Sequence, residues 1–322
     1  MLHRLLVAAL RCRLTGDRPP DLPDGVAAVA AKHRVRGTLY HIGPRLGEHD
    51  AAAIEHAWHL NVTGHLARIA ALKEMWPAGA PPPMVIKGAD LAEHLYRDPG
   101  ARAANDLDLL LPDPHYGPLA AGLGGVRRPA PRYERFTAEA PIAVGIEWQG
   151  VLIELHCRLT PAHRDRVDPA DLYRRGVAVT LDGFAARAPS AEDRLWIWLA
   201  NAAKDALHVD LGGLLDLALV LDDLGALERP RWEEWRGGAS ARGLRRPFDL
   251  ALHRLDLSGL WPAALPAPGR RTRWVARHLP PIEAGRVEPD PLVFQALKLW
   301  LCDARRRPAM VARGAATLWR RR

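Results

Sequence analysis

The sequence predicts an α+β fold in which helical N-terminal and C-terminal regions flank one short block of mixed strands and helices. Three observations predict it. Apolar residues recur at helical spacing from position 2 to 76 and again beyond 189. Between these regions, short apolar runs rich in Val, Ile and Leu alternate with turn residues, as strands do. Pro81-Pro82-Pro83 and Ser190-Ala191-Glu192-Asp193 bracket that block, which divides the chain into 1–80, 81–188 and 189–322. At 322 residues with 48% hydrophobic content, the chain exceeds the usual single-domain size and can build a sizeable core.

The N-terminal region reads as helices broken at 16–25 and 43–47, each break bounded by glycine. Its first eleven residues superficially mimic a signal peptide, but the apolar run is short and is followed by Arg11 and Arg13, so a helix is expected there. Val62, Leu66, Ile69 and Leu72 form a stripe expected to pack on the sheet. After the prolines, Met84-Val85-Ile86-Lys87 reads as a buried strand running into Gly88. A helix follows with Leu91, Ala92, Leu95 and Tyr96 at helical spacing, and Asp98-Pro99-Gly100 stops it. A strand through Asp106-Leu107-Asp108-Leu109-Leu110-Leu111, a helix starting near Asp113-Pro114, and a hairpin of 142–148 and 151–157 turning at Gln149-Gly150 come next. Ser190 to Asp193 resembles a capping box that opens a helix bearing Leu195, Trp196, Trp198, Leu199, Ala202 and Ala206. The remainder reads as a helical bundle with a linker or long loop at 261–271.

Composition narrows the function classes. Cys12, Cys157 and Cys302 form neither a C-x-x-C pair nor an even framework, which points away from zinc and disulfide scaffolds and suits a reducing cytoplasm. The apolar stretch at 211–224 is interrupted by Asp216, Asp222 and Asp223, so no membrane span is expected. A net charge of +8 invites a nucleic-acid reading, but only five of the 45 basic residues are lysine. That bias, with abundant Ala, Pro and Gly, follows from GC-rich coding. The basic residues cluster only at Arg305-Arg306-Arg307 and Arg320-Arg321-Arg322, without aromatic platforms, so nucleic acid is not the expected partner.

The candidate chemistry starts at Asp106 and Asp108. On a strand these side chains share one face, with Leu107, Leu109 and Leu111 on the other. Paired carboxylates repel and are costly to bury without a positive partner, and hard oxygen ligands suit Mg²⁺. Acidic pairs also occur in turns and at helix starts, so the pair does not stand alone. On the second hairpin strand, Leu152, Glu154 and His156 share a face opposite Val151, Ile153 and Leu155. At the strand-to-helix junction, Gly88 permits close backbone approach, the helix start favours an anion, and Lys87 adds positive charge; a plain tight turn is the competing account.

Residues 85–92 (Val-Ile-Lys-Gly-Ala-Asp-Leu-Ala), 95–100 (Leu-Tyr-Arg-Asp-Pro-Gly), Arg102 and 106–110 (Asp-Leu-Asp-Leu-Leu) together resemble the signature of the uncharacterised nucleotidyltransferase family within the DNA polymerase β-like superfamily. Ile153-Glu154-Leu155-His156, Arg158-Leu159, Ala203-Lys204 and Leu214-Leu215-Asp216-Leu217 extend the resemblance over about residues 69–224. It implies a polymerase β-like core in which Asp106, Asp108 and Glu154 hold two Mg²⁺ ions, with Glu154 also the base for the acceptor hydroxyl. Lys87, Gly88, Arg102, His156 and Lys204 are the implied nucleotide-binding residues, with Asp98 as an alternative partner for Arg102 and proton transfer as an alternative role for His156. Two departures stand out. Gly88-Ala89 replaces the Gly-Ser of many superfamily members, and Asp90 brings negative charge to the helix start, where phosphate would be repelled if that side chain turned inward.

The resemblance thus implies a Mg²⁺-dependent nucleotidyltransferase that moves an NMP, with AMP the expected one, from an NTP to a hydroxyl of a small molecule, peptide natural product or protein, releasing pyrophosphate. Ala89 and Asp90 motivate an alternative, a nucleotide-binding regulatory protein without turnover. A further alternative is a metal-dependent transferase that uses another activated phosphate donor, such as a sugar nucleotide.

Overall fold

The computed structural model describes residues 1–112, 115–123, 126–127, 143–160, 165–284 and 291–301. Asp113-Pro114, Ile142, Cys302 and the two terminal arginine runs lie outside the described residues. The N-terminal region forms α1 (Leu2–Thr15), α2 (Val26–Lys32), α3 (Arg36–Ile42) and the long α4 (Glu48–Met75), with the two glycine-bounded breaks as expected and a further one at His33-Arg34-Val35 that no glycine signals. Gly16 at φ 72° and Gly43 at φ 69° end α1 and α3 in the left-handed conformation, which glycine adopts without a Cβ penalty.

The middle block contributes β1 (Met84–Ile86), α5 (Lys87–Leu91), a π-helical turn (Ala92–Tyr96), β2 (Leu107–Leu110), α6 (Tyr116–Gly122), β3 (Val126–Arg127), β4 (Ala143–Trp148), β5 (Val151–His156), α7 (Pro169–Arg175), β6 (Val177–Leu181) and β7 (Phe184–Ala188). The strands form one mixed sheet in the order β3-β4-β5-β2-β1-β7-β6. At its centre β2 pairs antiparallel with β1, placing Ile86 opposite Asp108, and parallel with β5, placing Asp108 opposite Glu154. The β4–β5 hairpin turns at Gln149 (φ 49°) and Gly150 (φ 78°), the left-handed pair that matches strand twist in a two-residue loop.

The two faces of the sheet carry different cores. On the back, Val85, Leu107, Leu109, Ile153 and Leu155 pack with Ile69 and Leu72 of α4 and Leu119 of α6. On the front, Met84, Ile86 and Leu110 join a larger apolar cluster that runs through the N-terminal helices and the C-terminal bundle. That bundle comprises α8 (Ala191–Lys204), α9 (Leu211–Asp223), α10 (Trp232–Ala241), α11 (Arg245–Ser258), α12 (Arg270–Ala276) and α13 (Pro291–Leu301). Ser190 caps α8 as expected: its Oγ accepts from Asp193 N at 3.2 Å and donates to Asp193 Oδ2 at 2.8 Å. The expected α4 stripe holds for Ile69 and Leu72 but not for Leu66, which is 52% exposed. The buried line of α4 runs instead through Ile54, His65, Arg68, Ile69, Leu72 and Met75, the i, i+3, i+4 face, and Leu66 falls off it.

The turn at Asp98-Pro99-Gly100 is tied into this framework. Trp58 Nε1 donates to Asp98 Oδ2 at 2.9 Å, Asn61 Nδ2 to Gly100 O at 2.8 Å, and Thr38 Oγ1 to Ala101 O at 2.8 Å. A Cβ on Gly100 would lie 2.2 Å from Trp58 Nε1, so only glycine fits under the indole. Gly100→Ala is therefore expected to destabilise the fold by about 1–3 kcal/mol, the usual cost of overpacking, measured by urea unfolding.

A pH-dependent weakness lies at the C-terminal end of α2. His33 is fully buried, both its ring nitrogens lack partners among the described residues, and its ring lies tilted against that of His3, with centroids 5.3 Å apart. Burial, reinforced by His3, pushes its imidazole down to about 4 from an ordinary 6.5. The unfolded chain thus binds this proton more readily, so the contribution is complete above about pH 6.5 and is lost as pH falls towards about 4. His33→Leu should flatten that acid-side loss, on the order of 3 kcal/mol, in denaturant melts recorded across the interval. Identical slopes in variant and wild type would contradict the assignment.

Candidate metal and nucleotide site

The front face of the sheet centre collects the candidate chemistry because β2 and β5 lie side by side in parallel. Asp108 and Glu154 stand at the same level, and His156 is one alternate step along β5 on the same face. Asp108 is buried, whereas the Glu154 side chain is 36% exposed. His156 Nε2 lies 2.8 Å from Asp108 Oδ1 and 3.4 Å from Glu154 Oε2. One heteroatom from each of the three residues falls within 4.8 Å of the other two.

Lys87 completes this cluster from the end of β1. Its Nζ donates to Asp108 Oδ1 at 2.6 Å and lies 3.5 Å from His156 Nε2. Burial alone would raise the Asp108 carboxyl, but Lys87 and His156 overcome it and hold the group well below the ordinary carboxylate range. Burial likewise opposes the Lys87 charge, and Asp108 reverses that, so the ammonium is stabilised. For Glu154 the hydrogen bond from His156 is the largest influence and lowers its carboxyl.

Asp106 stands apart from the expected trio. It occupies a bend just before β2, so strand alternation does not carry it into the three-residue cluster. It remains electrostatically coupled to the site: burial first, then Asp108 and Glu154, push its carboxyl upward. Lys204, at the end of α8, is also brought to the site, where burial and Lys87 lower its ammonium while Asp108 and Glu154 oppose that shift. Sequence reading passes over Arg68 of α4, which is 7% exposed, has an unpartnered Nε among the described residues, and is coupled to Asp106. Its only signal in the sequence is an arginine on the buried line of a helix.

Other expectations resolve differently. Arg102 pairs with neither Asp98 nor an open anion site: its Nε and Nη2 hold Asp216 of α9 at 2.9 and 2.8 Å, and Tyr96 Oη donates to the same carboxylate at 2.9 Å. Asp98 is engaged instead by Trp58 and by His41 Nδ1 at 2.9 Å. Gly88 serves packing at least as directly as ligand approach, since a Cβ there would meet Ala104 Cβ at 3.0 Å. Ala89 faces the back apolar cluster. Asp90 turns towards α8, where Arg194 Nε at 2.9 Å and His94 Nδ1 at 2.9 Å neutralise it, so it does not confront an anion at the helix start.

Next to Lys87 and Gly88 opens a cavity of about 180 Å³ between α5, α8 and α9, walled by Ile197, Trp198, Asn201, Arg102 and Arg194. Asp108 and Glu154 are hard oxygen donors of the kind that suits a divalent cation, and the ammonium seated on Asp108 shows that the pair accommodates positive charge. His156 fits less well as a ligand than as a hydrogen-bond donor, because among the described residues its buried Nδ1 lacks the outer partner that a ligating imidazole normally has. Among the described residues, no helix is long and apolar enough to cross a membrane.

Neither a curated protein nor a solved structure matches the chain. The sequence profile of a family described as an uncharacterised nucleotidyltransferase matches residues 20–257, which takes in α2 to α4, the whole sheet, and α8 and α9 with their ion pairs. The chain therefore belongs to the uncharacterised nucleotidyltransferase family.

Proposed function

We propose that the protein transfers a nucleoside monophosphate from an NTP to an acceptor hydroxyl, with release of pyrophosphate. The observation that carries this reading is the pairing of Asp108 with Glu154 at one level of the parallel β2–β5 ladder, beside a cavity flanked by Lys87. Asp108 and Glu154 would hold Mg²⁺, with Asp106 as the neighbouring carboxylate and two ions as the full complement. Bound there, Mg²⁺ would supply Lewis-acid stabilisation of charge on the reacting phosphate oxygens.

Within that reading, the chain's own residues divide the work. Lys87 and Lys204 bring positive charge to the phosphates, and the cavity between α5, α8 and α9 takes the nucleoside. Glu154 is the carboxylate that an acceptor hydroxyl can reach, so its Oε atoms take the hydroxyl proton; Asp108, with a side chain 5% exposed, is closed to solvent. His156 orients Asp108 through Nε2, which shares Oδ1 with the Lys87 ammonium. The regulatory alternative drew on negative charge from Asp90, and the pairing of Asp90 with Arg194 and His94 removes that charge argument.

The assignment is tested with α-labelled NTP, Mg²⁺ and a panel of hydroxyl acceptors. Asp108→Asn should reduce transfer by at least ~10³-fold, because several kcal/mol of charge stabilisation is lost and each ~1.4 kcal/mol is tenfold in rate. Circular dichroism checks that the variant is folded, and near-normal transfer in a folded variant would remove Asp108 from the metal site.

Glu154→Gln separates chemistry from binding. It should keep most NTP affinity while the turnover rate falls by at least ~10²-fold, the lower end of the usual contribution of a positioned base. Transfer of γ-label alone by the wild type would mean a kinase. Tight Mg²⁺-NTP binding with no transfer of either label across the panel would favour the regulatory alternative.

A further inference from the structure

Lys87 reaches Asp108 only because its backbone leaves the strand conformation. Along β1, Met84 and Ile86 face the front cluster and Val85 the back. Extending the strand by one residue would therefore send residue 87 to the back face. Instead Lys87 takes φ 58°, the left-handed region that glycine adopts readily and that costs a side-chain-bearing residue about 1–2 kcal/mol. The next residue, Gly88, is packed against Ala104 and fixes the chain after the turn. The outcome is an ammonium delivered to Asp108 Oδ1 at 2.6 Å, within 3.5 Å of His156 Nε2, in the middle of the only three-residue group of candidate metal ligands among the described residues.

That position has a consequence for cation binding. Asp108 is buried, so each of its oxygens has few possible partners, and a divalent cation on Asp108 and Glu154 must contend with the ammonium for Oδ1. Two cations a few ångströms apart on one carboxylate repel strongly where water is scarce. A lysine suits such an exchange, because an ammonium is a compact charge on a flexible stem with freely turning donors, unlike a guanidinium locked in a planar fork. The cavity beside Lys87 gives the displaced side chain a place to go, next to where phosphates would lie.

We propose that Lys87 is a resident counter-cation of the acidic cluster, which a divalent cation displaces from Asp108 and which then moves to the phosphate groups of the donor. The proposal rests on the nucleotidyltransferase reading. It makes Lys87 a positioning residue that couples metal entry to phosphate capture and keeps the affinity for metal alone low.

The test uses Mn²⁺ alone, without nucleotide, on the full chain. Mn²⁺ affinity is measured by titration calorimetry and by electron paramagnetic resonance for wild type and Lys87→Met, the latter checked for folding by circular dichroism. Removing one charge-assisted hydrogen bond that competes for Asp108 should tighten Mn²⁺ binding at least ~10-fold. A second measurement needs no variant: the rate at which acetic anhydride acylates Lys87, followed by peptide mass spectrometry and referenced to Lys73, whose partner Asp182 lies outside the site. Saturating Mn²⁺ should raise the Lys87 rate several-fold relative to Lys73. Equal or weaker Mn²⁺ binding in a folded Lys87→Met, or an unchanged Lys87 rate in wild type that does bind Mn²⁺, would overturn the displacement while leaving the metal site intact. Absence of Mn²⁺ binding in both proteins would overturn the metal reading itself, and the displacement with it.

Discussion

The buried carboxylate of Asp108 is the constraint around which the middle of the molecule is arranged. A lone carboxylate at that depth would either unfold the sheet centre or take up a proton. It does neither, because an ammonium from the end of β1 and an imidazole from β5 converge on the same oxygen. Both neighbours owe their positions to the sheet order, which sets β2 between β1 and β5. Compensation of this kind is costly to disturb from either side, since removing one partner strands the other's charge in a poorly solvated place. The charge balance that keeps the protein folded is thus the same one that prepares an anionic pair for a cation.

Precision at the site comes from residues outside the acidic cluster. The segment between the π-helical turn and β2 carries Asp106 and leads into Asp108, and it is clamped along its length. Arg13 of α1 donates to Leu95 O at 3.1 Å at the start of the clamp, Trp58 and Asn61 hold the turn, and Arg102 locks to Asp216. The Arg102 guanidinium is fully committed there. Burial would weaken its charge, but Asp216 more than restores it. An arginine in a bidentate buried pair with a tyrosine hydroxyl on the same carboxylate is a fastener, and it fixes the bundle to the sheet at the wall of the cavity.

What the sequence discloses and what it hides divides along the range of the interactions. The breaks at 16–25 and 43–47, the Gln149-Gly150 turn and the Ser190 cap are set by neighbours a few residues away, and each is visible in the sequence. The shared face of Glu154 and His156 is equally local, because strand alternation decides it. The commitment of Arg102 to Asp216 joins residues 114 apart in sequence, and nothing near either one signals it. Asp98 looks like the nearer partner, yet α3 and α4 claim it. Asp106 illustrates a subtler limit: alternation places it beside Asp108 only if the strand has already begun, and β2 begins one residue later. Leu66 fails for the matching reason on a helix, since which of two adjacent stripes is buried depends on the sheet that α4 covers.

The distribution of cation types makes one further point. Arginine dominates this chain, and among its 45 basic residues the five lysines are Lys32, Lys73, Lys87, Lys204 and Lys298. Two of those five stand at the acidic cluster, while the arginines lining the adjoining cavity, Arg34, Arg102 and Arg194, are each held by an aspartate. The two roles demand different charges. A scaffold pair gains from a planar donor that fits a carboxylate in one geometry, whereas a site that must exchange partners gains from a charge that can turn and let go. Coding bias would produce the abundance of arginine but says nothing of where the lysines stand. Lysine at positions 87 and 204 suits the proposed exchange of phosphate and metal charge, while the paired arginines hold the scaffold.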